Sequence, residues 1–245
     1  MTRRGVALVH LNRALSKRGV LTRSQATEAV LAGRVRVDGR VVRDPAARVD
    51  LEQAAIEVDR TQAEAVSWRT MLFNKPRGVL TTSRDPEGRK TVYDVIGEPA
   101  RALVTVGRLD FATSGLLLLT TDTTLAAWLT DPGNRVPRVY VATVRGRVTP
   151  ADAARLEDGV MEGDDRLQAS AVVVRKTSYR ESHLIIELME GKNREVRRLC
   201  QVIGHEVTRL KRVGFGSLEL GGLAPGAWRE LTREDVSRAF PSFKV

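Results

Sequence analysis

One carboxylate stands out in the stretch "VGRLDFATSGLLLLTTD", residues 106 to 122. Asp110 precedes a run of four leucines, and such a run predicts a strand that is buried on both faces. An aspartate in front of a strand can form a turn, cap a helix or pair with a cation, and it can also act as a catalytic carboxylate. Because a reactive group is positioned best on a stiff element, we take Asp110 as the first candidate for chemistry.

Other kinds of chemistry lack their residue patterns in this sequence. There is no phosphate-cradling Gly-x4-Gly-Lys-Ser/Thr loop, and "GFGSLELGG" lacks the spacing of a dinucleotide site. The histidines, His10, His183 and His205, lie far apart and belong to no ligand motif. Cys200 falls on the apolar stripe of a predicted helix, so we expect a core residue and not a nucleophile. We therefore expect neither a metal nor a cofactor.

The composition indicates a folded protein with a polyanionic partner. The chain has 245 residues, 42% of them hydrophobic, with a net charge of +10 and a pI of about 10.4. This basic balance favours nucleic acid as the partner. A single cysteine excludes an intramolecular disulfide and is typical of a reducing compartment. No apolar run is long enough to span a bilayer, so we expect a cytoplasmic, soluble protein without a membrane partner. No pattern in the sequence indicates an oligomer, so we expect a monomer.

Positive charge is concentrated in the first part of the chain. Residues 1 to 49 contain 11 Lys or Arg and three acids. The pattern predicts a helix through Leu11 and Leu15 that Gly19 ends, then a second helix through Ala26 and Ala29. Further predicted features are a capping box of Thr22 with Gln25, a helix end at Gly33, and a hairpin of Val35 and Val37 with a return strand from Val41 around Asp38-Gly39.

The basic side chains of this module are either a solvated surface or a group of phosphate contacts, and their clustering favours phosphate contact. The candidate RNA-binding residues are Arg13, Lys17, Arg18, Arg23, Arg34 and Arg36. The pair Thr22-Arg23, the helix with Ala26 and the run "GRVRVDG" resemble the S4 RNA-binding domain. This resemblance covers about residues 8 to 58, and we assign residues 1–60 to an S4-like domain.

Residues 61–69 are predicted to be a linker, and residues 70–245 a second domain. Strands are predicted in "RTMLFNKPRGVLTT", interrupted at Lys75-Pro76, and in "GLLLLTTD", "RVYVATVRGRV" and "ESHLIIELME". Thr149-Pro150 opens one helix. A second helix from Asn193 has Val196, Leu199, Cys200 and Ile203 on its apolar face, with Arg194, Arg198 and Gln201 opposite. Arg197 lies at the border of the two faces, from where an arginine can turn towards a cleft.

Several segments of this second part resemble the RsuA/RluB family of ribosomal RNA pseudouridine synthases. The run "GRLDFATSGLLLLTTD" is similar to the family's Gly-Arg-Leu-Asp motif, which implies that Asp110 is the catalytic nucleophile. "FNKPRGVLTT" resembles its Lys-Pro-x-Gly motif. "RVYVATV" implies that Tyr140 packs against the target base, and "EGKNREVRRL" implies that Arg197 pairs with the aspartate. With the S4-like start, the resemblance covers about residues 8 to 235.

The resemblance implies an α+β fold, in which the small helical and hairpin domain is followed by a mixed, mainly antiparallel sheet flanked by helices. It implies ribosomal RNA or a ribosome assembly intermediate as the partner, and no cofactor. Further RNA-binding candidates are Lys75, Arg108, Arg138, Lys192, Asn193 and Arg194. Arg138 replaces the family's usual Lys, Asp131-Pro132 its His-Pro, and "TTDTT" its Asp-Gly. The competing hypothesis is a non-catalytic RNA-binding or ribosome-assembly factor, which would not need Asp110, Tyr140 and Arg197 together.

Overall fold

The computed structural model describes residues 8–18, 20–21, 23–51, 53–59, 61–62, 67–100 and 102–243. The chain divides into two compact units. One contains Met1–Trp68 with the short segments Ala102–Val104 and Thr121–Thr123, and the other contains the rest of the chain. The predicted helix stop at Gly19 and the predicted capping box at Thr22 lie outside the described residues. Within the described ranges, no helix is long and apolar enough to cross a membrane.

The first unit consists of two short helices and short strands. Its elements are β1 (Leu8–His10), α1 (Leu11–Lys17), α2 (Arg23–Leu31), β2 (Val35–Val37), β3 (Arg40–Val41), β4 (Arg48–Asp50), β5 (Ile56–Val58) and β6 (Thr61–Gln62). Leu11 and Leu15 of α1 and Ala26 and Val30 of α2 are all completely buried in one apolar core. Because apolar residues at this spacing share one face of a helix, the two predicted helices are confirmed.

The predicted hairpin is also present. Arg36 pairs with Val41 and Val37 with Arg40, so the return strand begins one residue earlier than predicted. Asp38 and Gly39 have φ values of 49° and 78°, which is the left-handed backbone that a two-residue turn between antiparallel strands requires. The Asp-Gly pair supplies it because glycine, and aspartate to a lesser degree, tolerates positive φ.

The second unit is built on a nine-stranded sheet. The strands from Thr70 onwards are β7 (Thr70–Lys75), β8 (Val104–Thr105), β9 (Thr113–Thr120), β10 (Arg138–Arg145), β11 (Val160–Glu162), β12 (Asp165–Leu167), β13 (Ala171–Thr177), β14 (Glu181–Leu188), β15 (Val207–Phe215), β16 (Leu218–Glu219) and β17 (Trp228–Leu231). The helices are α3 (Val92–Ile96), α4 (Thr123–Thr130), α5 (Pro150–Asp158), α6 (Glu195–Val202) and α7 (Arg233–Ala239), with 3₁₀ turns at Glu98–Ala100 and Pro132–Asn134.

The strand order in this sheet is β13-β14-β10-β15-β9-β7-β17, with β16 beside β15 and β8 beside β9. β9 runs parallel to β15 and antiparallel to β7. The ladders from β13 through β14 and β10 to β15 are antiparallel. The sheet is therefore mixed and mainly antiparallel, and helices accompany it, which confirms the predicted α+β fold.

β9 is the buried strand that the leucine run predicts. Leu116, Leu117, Leu118 and Leu119 are all 0% exposed, so both faces of the strand are covered. Its backbone pairs with β7 over residues 115–120, with β15 over residues 113–115, and with the short strand β8. The loop that carries Asp110 therefore leads directly into the interior of the sheet.

The helix predicted from Asn193 is α6, which begins two residues later, at Glu195. Arg194 is its N-cap, with φ 51° in the left-handed region, so the chain turns sharply before the helix starts. Val196, Leu199, Cys200 and Ile203 are buried as predicted. Cys200 is completely buried, which confirms the predicted core position, and burial raises the pKa of its thiol to about 12.

The second strand predicted after Lys75-Pro76 is wrong. Between β7 and α3, the described residues form only an isolated bridge of Leu80 with Thr91. Pro76 cannot donate to a ladder, and Gly78 has φ 79°. The N–H of Gly78 instead donates to the carbonyl of Phe111 at 2.8 Å. This segment therefore packs against the Asp110 loop and does not extend the sheet.

Gly115 permits the close parallel pairing of β9 with β15. A methyl group at Gly115 would lie 2.1 Å from the carbonyl oxygen of Arg212, and its φ is +106°. We expect Gly115→Ala to lower the free energy of unfolding by more than about 2 kcal/mol, because it adds a backbone clash to a strained φ. Urea unfolding measures this loss.

Gly163→Ala is the matched control, because Gly163 also has a positive φ (+59°) but has open space around a methyl group. We expect it to cost about 1 kcal/mol. Equal losses in the two variants would contradict a steric role for Gly115.

Candidate active site

A cleft of about 170 Å³ opens beside the Asp110 loop in the second unit. Its walls are the loop from Val106 to Asp110, the residues around the start of α6, and side chains of β10 and β15. A cavity of about 150 Å³ holds a benzene molecule. The cleft therefore has room for one six-membered ring.

The Asp110 carboxylate pairs with an arginine at the start of α6. Its side chain is 30% exposed, and Oδ2 lies 3.8 Å from Nη1 of Arg194. The guanidinium of Arg197 donates instead to the carbonyls of Val207 at 2.9 Å and Ala112 at 3.4 Å. The direct ion pair is therefore made by Arg194, which the sequence placed among the RNA-binding candidates and not opposite Asp110.

Arg197 links α6 to the loop of Asp110 and to β15. Its Nε is buried and has no hydrogen-bond partner in the described part of the chain. Burial lowers the pKa of Arg197, with a further lowering by Arg194, and the negative charge of Asp110 opposes that shift. Arg197 is thus electrostatically coupled to Asp110 while it holds the backbone two residues further along the loop.

The environment of Lys75 differs from the one that the sequence predicted. We predicted an RNA contact, but its side chain is completely buried. Nζ donates to the carbonyls of Thr113 at 2.9 Å, Asp110 at 3.1 Å and Pro76 at 3.2 Å. The ammonium group therefore has no surface for RNA, because its donors bind the backbone on both sides of the Asp110 loop.

Two further contacts fix the same loop, and sequence reasoning missed both. Thr81 Oγ1 donates to the carbonyl of Leu109 at 2.7 Å and lies 3.3 Å from the Leu109 N–H, which donates to it. The backbone N–H of Gly78 binds the carbonyl of Phe111. The loop therefore has hydrogen-bond partners at Leu109, Asp110, Phe111 and, through Arg197, Ala112. The signal in the sequence was the "KPRGVLTT" segment, which was interpreted as a strand and as the Lys-Pro-x-Gly motif but not as a support of the Asp110 loop.

Two cross-strand pairs, each of one aromatic residue and one arginine, line the cleft from β10 and β15. Tyr140 is directly opposite Arg212, and Arg138 is opposite Phe215. Residues opposite each other on adjacent strands point to the same face. All four are buried, and all four line the cleft. The guanidinium carbons of Arg138 and Arg212 lie 5.1 and 5.0 Å from the centre of the Phe215 ring.

Arg138 is almost fully engaged by the protein itself. It donates to the carbonyls of Val136 at 2.8 Å, Leu129 at 3.0 Å, Glu190 at 3.2 Å and Met189 at 3.4 Å. Burial, and then the positive charge of Arg212, lower its pKa. Its contacts hold the ends of β10 and β14 together, so its main observed role is structural, although we predicted RNA binding.

Glu195 is a buried carboxylate that sequence reasoning missed. It is 4% exposed, lines the cleft, and accepts a hydrogen bond from the Lys192 N–H at 3.0 Å. Burial raises its pKa, while the hydrogen bond from Lys192 lowers it. A Glu in the first helical turn usually signals only a favourable helix start. Here it also places a second acid in the cleft.

The balance of charge in the cleft is positive. The basic side chains that line it are Arg108, Arg138, Lys192, Arg194 and Arg212, and the acidic ones are Asp110 and Glu195. Arg108 and Arg194 are exposed, and so is Asn193, which does not line the cleft. Lys192 donates to the carbonyl of Arg166 at 2.8 Å. A surplus of three positive charges favours an anionic ligand.

The six basic candidates of the first unit have different surroundings. Arg13, Lys17 and Arg23 are exposed and have no side-chain partner among the described residues. Arg18 donates to the carbonyls of Leu51 and Ala54. The other two are exposed or half-buried and also bonded: Arg34 pairs with Asp59, and Arg36 donates to the carbonyl of Gly39. Three guanidinium groups therefore stabilise the module itself.

Burial lowers the pKa of Lys75 from its usual 10.5 to about 8, although the negative charge of Asp110 acts to raise it. Between these values the unfolded chain binds more protons than the folded one, so the free energy of unfolding gains a contribution that rises with pH. Between pH 8 and 10.5 we expect the free energy of unfolding to rise more steeply with pH in the wild type than in Lys75→Met. Urea unfolding at each pH measures it. Parallel pH profiles would contradict a lowered pKa for Lys75.

Comparison with known proteins assigns the chain to a family. The family profile described as RNA pseudouridylate synthase matches residues 69–202, and the S4 domain profile matches residues 11–54. A Bacillus subtilis protein named ribosomal large subunit pseudouridine synthase B is 37% identical over 231 residues, which are 93% of this chain and 94% of that protein. An uncharacterized RNA pseudouridine synthase of Aquifex aeolicus is 36% identical over 233 residues, 95% of this chain and 94% of the relative.

A solved structure has the same fold. The crystal structure of a pseudouridylate synthase superimposes with a TM-score of 0.66 at 24% sequence identity, covering 94% of this chain and 99% of the other. The family match spans more than half of the chain, and the relatives span nearly all of it. The chain therefore belongs to the RNA pseudouridine synthase family and carries an S4 domain at its amino-terminal end.

Proposed function

We propose that this enzyme isomerises a specific uridine of ribosomal RNA to pseudouridine, with Asp110 as the catalytic carboxylate. The observation that carries the proposal is the Asp110 side chain, which is partly exposed in a cationic cleft sized for one ring. Its loop is fixed from the interior by Lys75 and Thr81. A catalytic group needs such support because small misplacements of reacting groups are costly.

The reaction needs only groups that the chain itself provides. The N1–C1′ bond of the uridine breaks, the base turns, C5 bonds to C1′, and a proton moves from C5 to N1. No electrons are gained or lost overall. An ionised Asp110 can attack the ribose carbon, attack the base or remove a ribose proton, and each route leaves the same product. Arg194, whose Nη1 lies 3.8 Å from Oδ2 of Asp110, forms an ion pair with this carboxylate.

Tyr140 supports the base in this proposal. The tyrosine is 9% exposed and lines the cleft, so a base that enters the cleft can contact it. Stacking of a base on an aromatic ring contributes about 1 to 3 kcal/mol. That contribution offsets the few kcal/mol that extruding a uridine from folded RNA costs.

Ribosomal RNA is proposed as the substrate on two grounds. The Bacillus relative is named a ribosomal large subunit pseudouridine synthase. The S4 domain presents Arg13, Lys17 and Arg23 without protein partners among the described residues, and such free cations suit contacts with phosphates. Arg108 and Arg194, exposed at the cleft, are proposed to contact the RNA around the target nucleotide.

Asp110→Asn tests the catalytic proposal. We expect tritium release from C5-labelled uridine in ribosomal RNA to slow by at least about a hundredfold, because the neutral amide can act neither as a nucleophile nor as a base. The melting temperature and the affinity for RNA should stay close to those of the wild type. Asp164→Asn, at an exposed acid outside the cleft, is the matched control and should keep its activity. Unchanged release by Asp110→Asn would refute the assignment.

The salt dependence of RNA binding tests the S4 surface. A triple variant, Arg13→Gln, Lys17→Gln and Arg23→Gln, should bind more weakly and lower the log-log salt slope by up to about 2, at about 0.7 per phosphate contact on single-stranded RNA. The control removes three exposed charges from the second unit, with Arg175→Gln, Lys176→Gln and Arg180→Gln. If both triple variants have the same slope, the S4 residues do not contact phosphates.

A further inference from the structure

Arg212 is a buried cation in the cleft, and the described part of the chain bonds only some of its donors. It is 3% exposed, and its Nε donates to the carbonyl of Leu116 at 2.8 Å. Its Nη2 is buried and has no hydrogen-bond partner among the described residues. A guanidinium has five N–H donors, and leaving a buried charged donor unpaired is costly. The cost suggests that a ligand completes the site.

The neighbouring Arg138 is also buried, but its donors have hydrogen-bond partners in the protein. Both arginines lie over the same Phe215 ring at nearly equal distances, 5.1 and 5.0 Å, and both are buried. Arg138 donates to four carbonyls, whereas Arg212 donates to one carbonyl in the described part of the chain. The difference is specific to the position opposite Tyr140.

The position of Arg212 decides which part of a nucleotide can reach it. Arg212 stands opposite Tyr140 on the sheet side of the cleft, and the space in front of it holds about one ring. In an extruded nucleotide the base enters such a pocket first, while the phosphates stay with the RNA backbone at the mouth. The partner of Arg212 is therefore a carbonyl oxygen of the base and not a phosphate.

We propose that Arg212 contacts the uracil and stabilises the negative charge that the base acquires when its bond to the ribose breaks. The electron pair of the N1–C1′ bond leaves with N1, and conjugation spreads the charge over the ring carbonyl oxygens. This occurs by each of the three routes open to Asp110. When C5 bonds to C1′ and the proton moves from C5 to N1, the base is neutral again. Arg212 thus acts only while the base is detached.

The surroundings of Arg212 strengthen this interaction. A fixed cation acts most strongly on a developing charge where water is excluded and where the cation does not have to reorganise. The bond to Leu116 and the Phe215 ring hold the guanidinium in place. Asp110 and Glu195, the acids of the cleft, are outnumbered by its cations, so the site has capacity for one more negative charge.

The proposal rests on the cleft being the active site, and one set of single-turnover assays tests both ideas. We compare wild type, Asp110→Asn, Arg212→Met and Arg212→Lys in tritium release, RNA affinity and melting temperature. We expect Arg212→Met to slow the step by about a hundredfold or more with an RNA dissociation constant within about threefold of wild type. Arg212→Lys should retain part of the rate because it keeps the positive charge. It should not reach the wild-type rate because it loses the planar fork of donors.

Arg209→Met is the matched control. Arg209 lies on the same strand, is exposed, and does not line the cleft. Its replacement removes the same charge and should leave the single-turnover rate within about twofold of wild type. If Arg212→Met weakens RNA binding and keeps the rate, Arg212 serves ground-state binding and the proposal is overturned. If Asp110→Asn stays active, the cleft is not the active site, and both proposals fall.

A second substrate separates a charge effect from a packing effect. RNA with 5-fluorouridine at the target site carries an electron-withdrawing fluorine, which itself stabilises negative charge on the detached base. We expect the defect of Arg212→Met and Arg212→Lys, measured as loss of the N1-linked nucleoside, to shrink at least tenfold on this RNA. A variant that is merely misfolded or poorly packed would have equal defects on both substrates, and that result would overturn the proposal.

Discussion

The site depends on the close parallel pairing of β9 with β15, which brings two distant parts of the chain together. Gly115 is opposite Arg212 in this ladder, and the absence of a side chain at Gly115 lets the backbones approach. β9 begins directly after the Asp110 loop, and β15 carries Arg212 and pairs with the strand of Tyr140. The candidate carboxylate, the aromatic ring and the buried arginine thus share one cleft because of a single backbone contact.

Buried positive charge is the second organising feature. Lys75, Arg138, Arg197 and Arg212 carry cationic groups in the interior or in the wall of the cleft, where desolvation is costly. Lys75 and Arg138 offset the cost with backbone carbonyls, and they thereby fix the loop of Asp110 and the ends of two strands. Arg212 uses one donor. Lys75 and Arg138 therefore contribute rigidity, whereas Arg212 has one buried donor, Nη2, without a partner among the described residues.

Carbonyl acceptors also explain why basic residues near an RNA site need not contact RNA. In the S4 unit, Arg18 binds two carbonyls and Arg34 binds Asp59, while Arg13, Lys17 and Arg23 stay exposed. A guanidinium is a fork of donors that can hold separate loops of a small module together as well as it binds phosphates. Charge in the sequence identifies the class of partner, but contacts decide which residues can meet it.

The resemblance to a known family implied the α+β class. The sequence by itself determined the two S4 helices and their hairpin, the buried leucine strand, and the core position of Cys200. These features depend on local periodicity, turn residues and burial, which a linear pattern records. It also singled out Asp110 and Tyr140, and both line the cleft. The tertiary structure decided that Lys75 is buried, that Arg194 and not Arg197 lies nearest the Asp110 carboxylate, and that Arg212 and Glu195 belong to the site. Those facts follow from pairings between strands and loops far apart in the chain, where the partner of a side chain is chosen by three-dimensional packing and not by its neighbours in sequence.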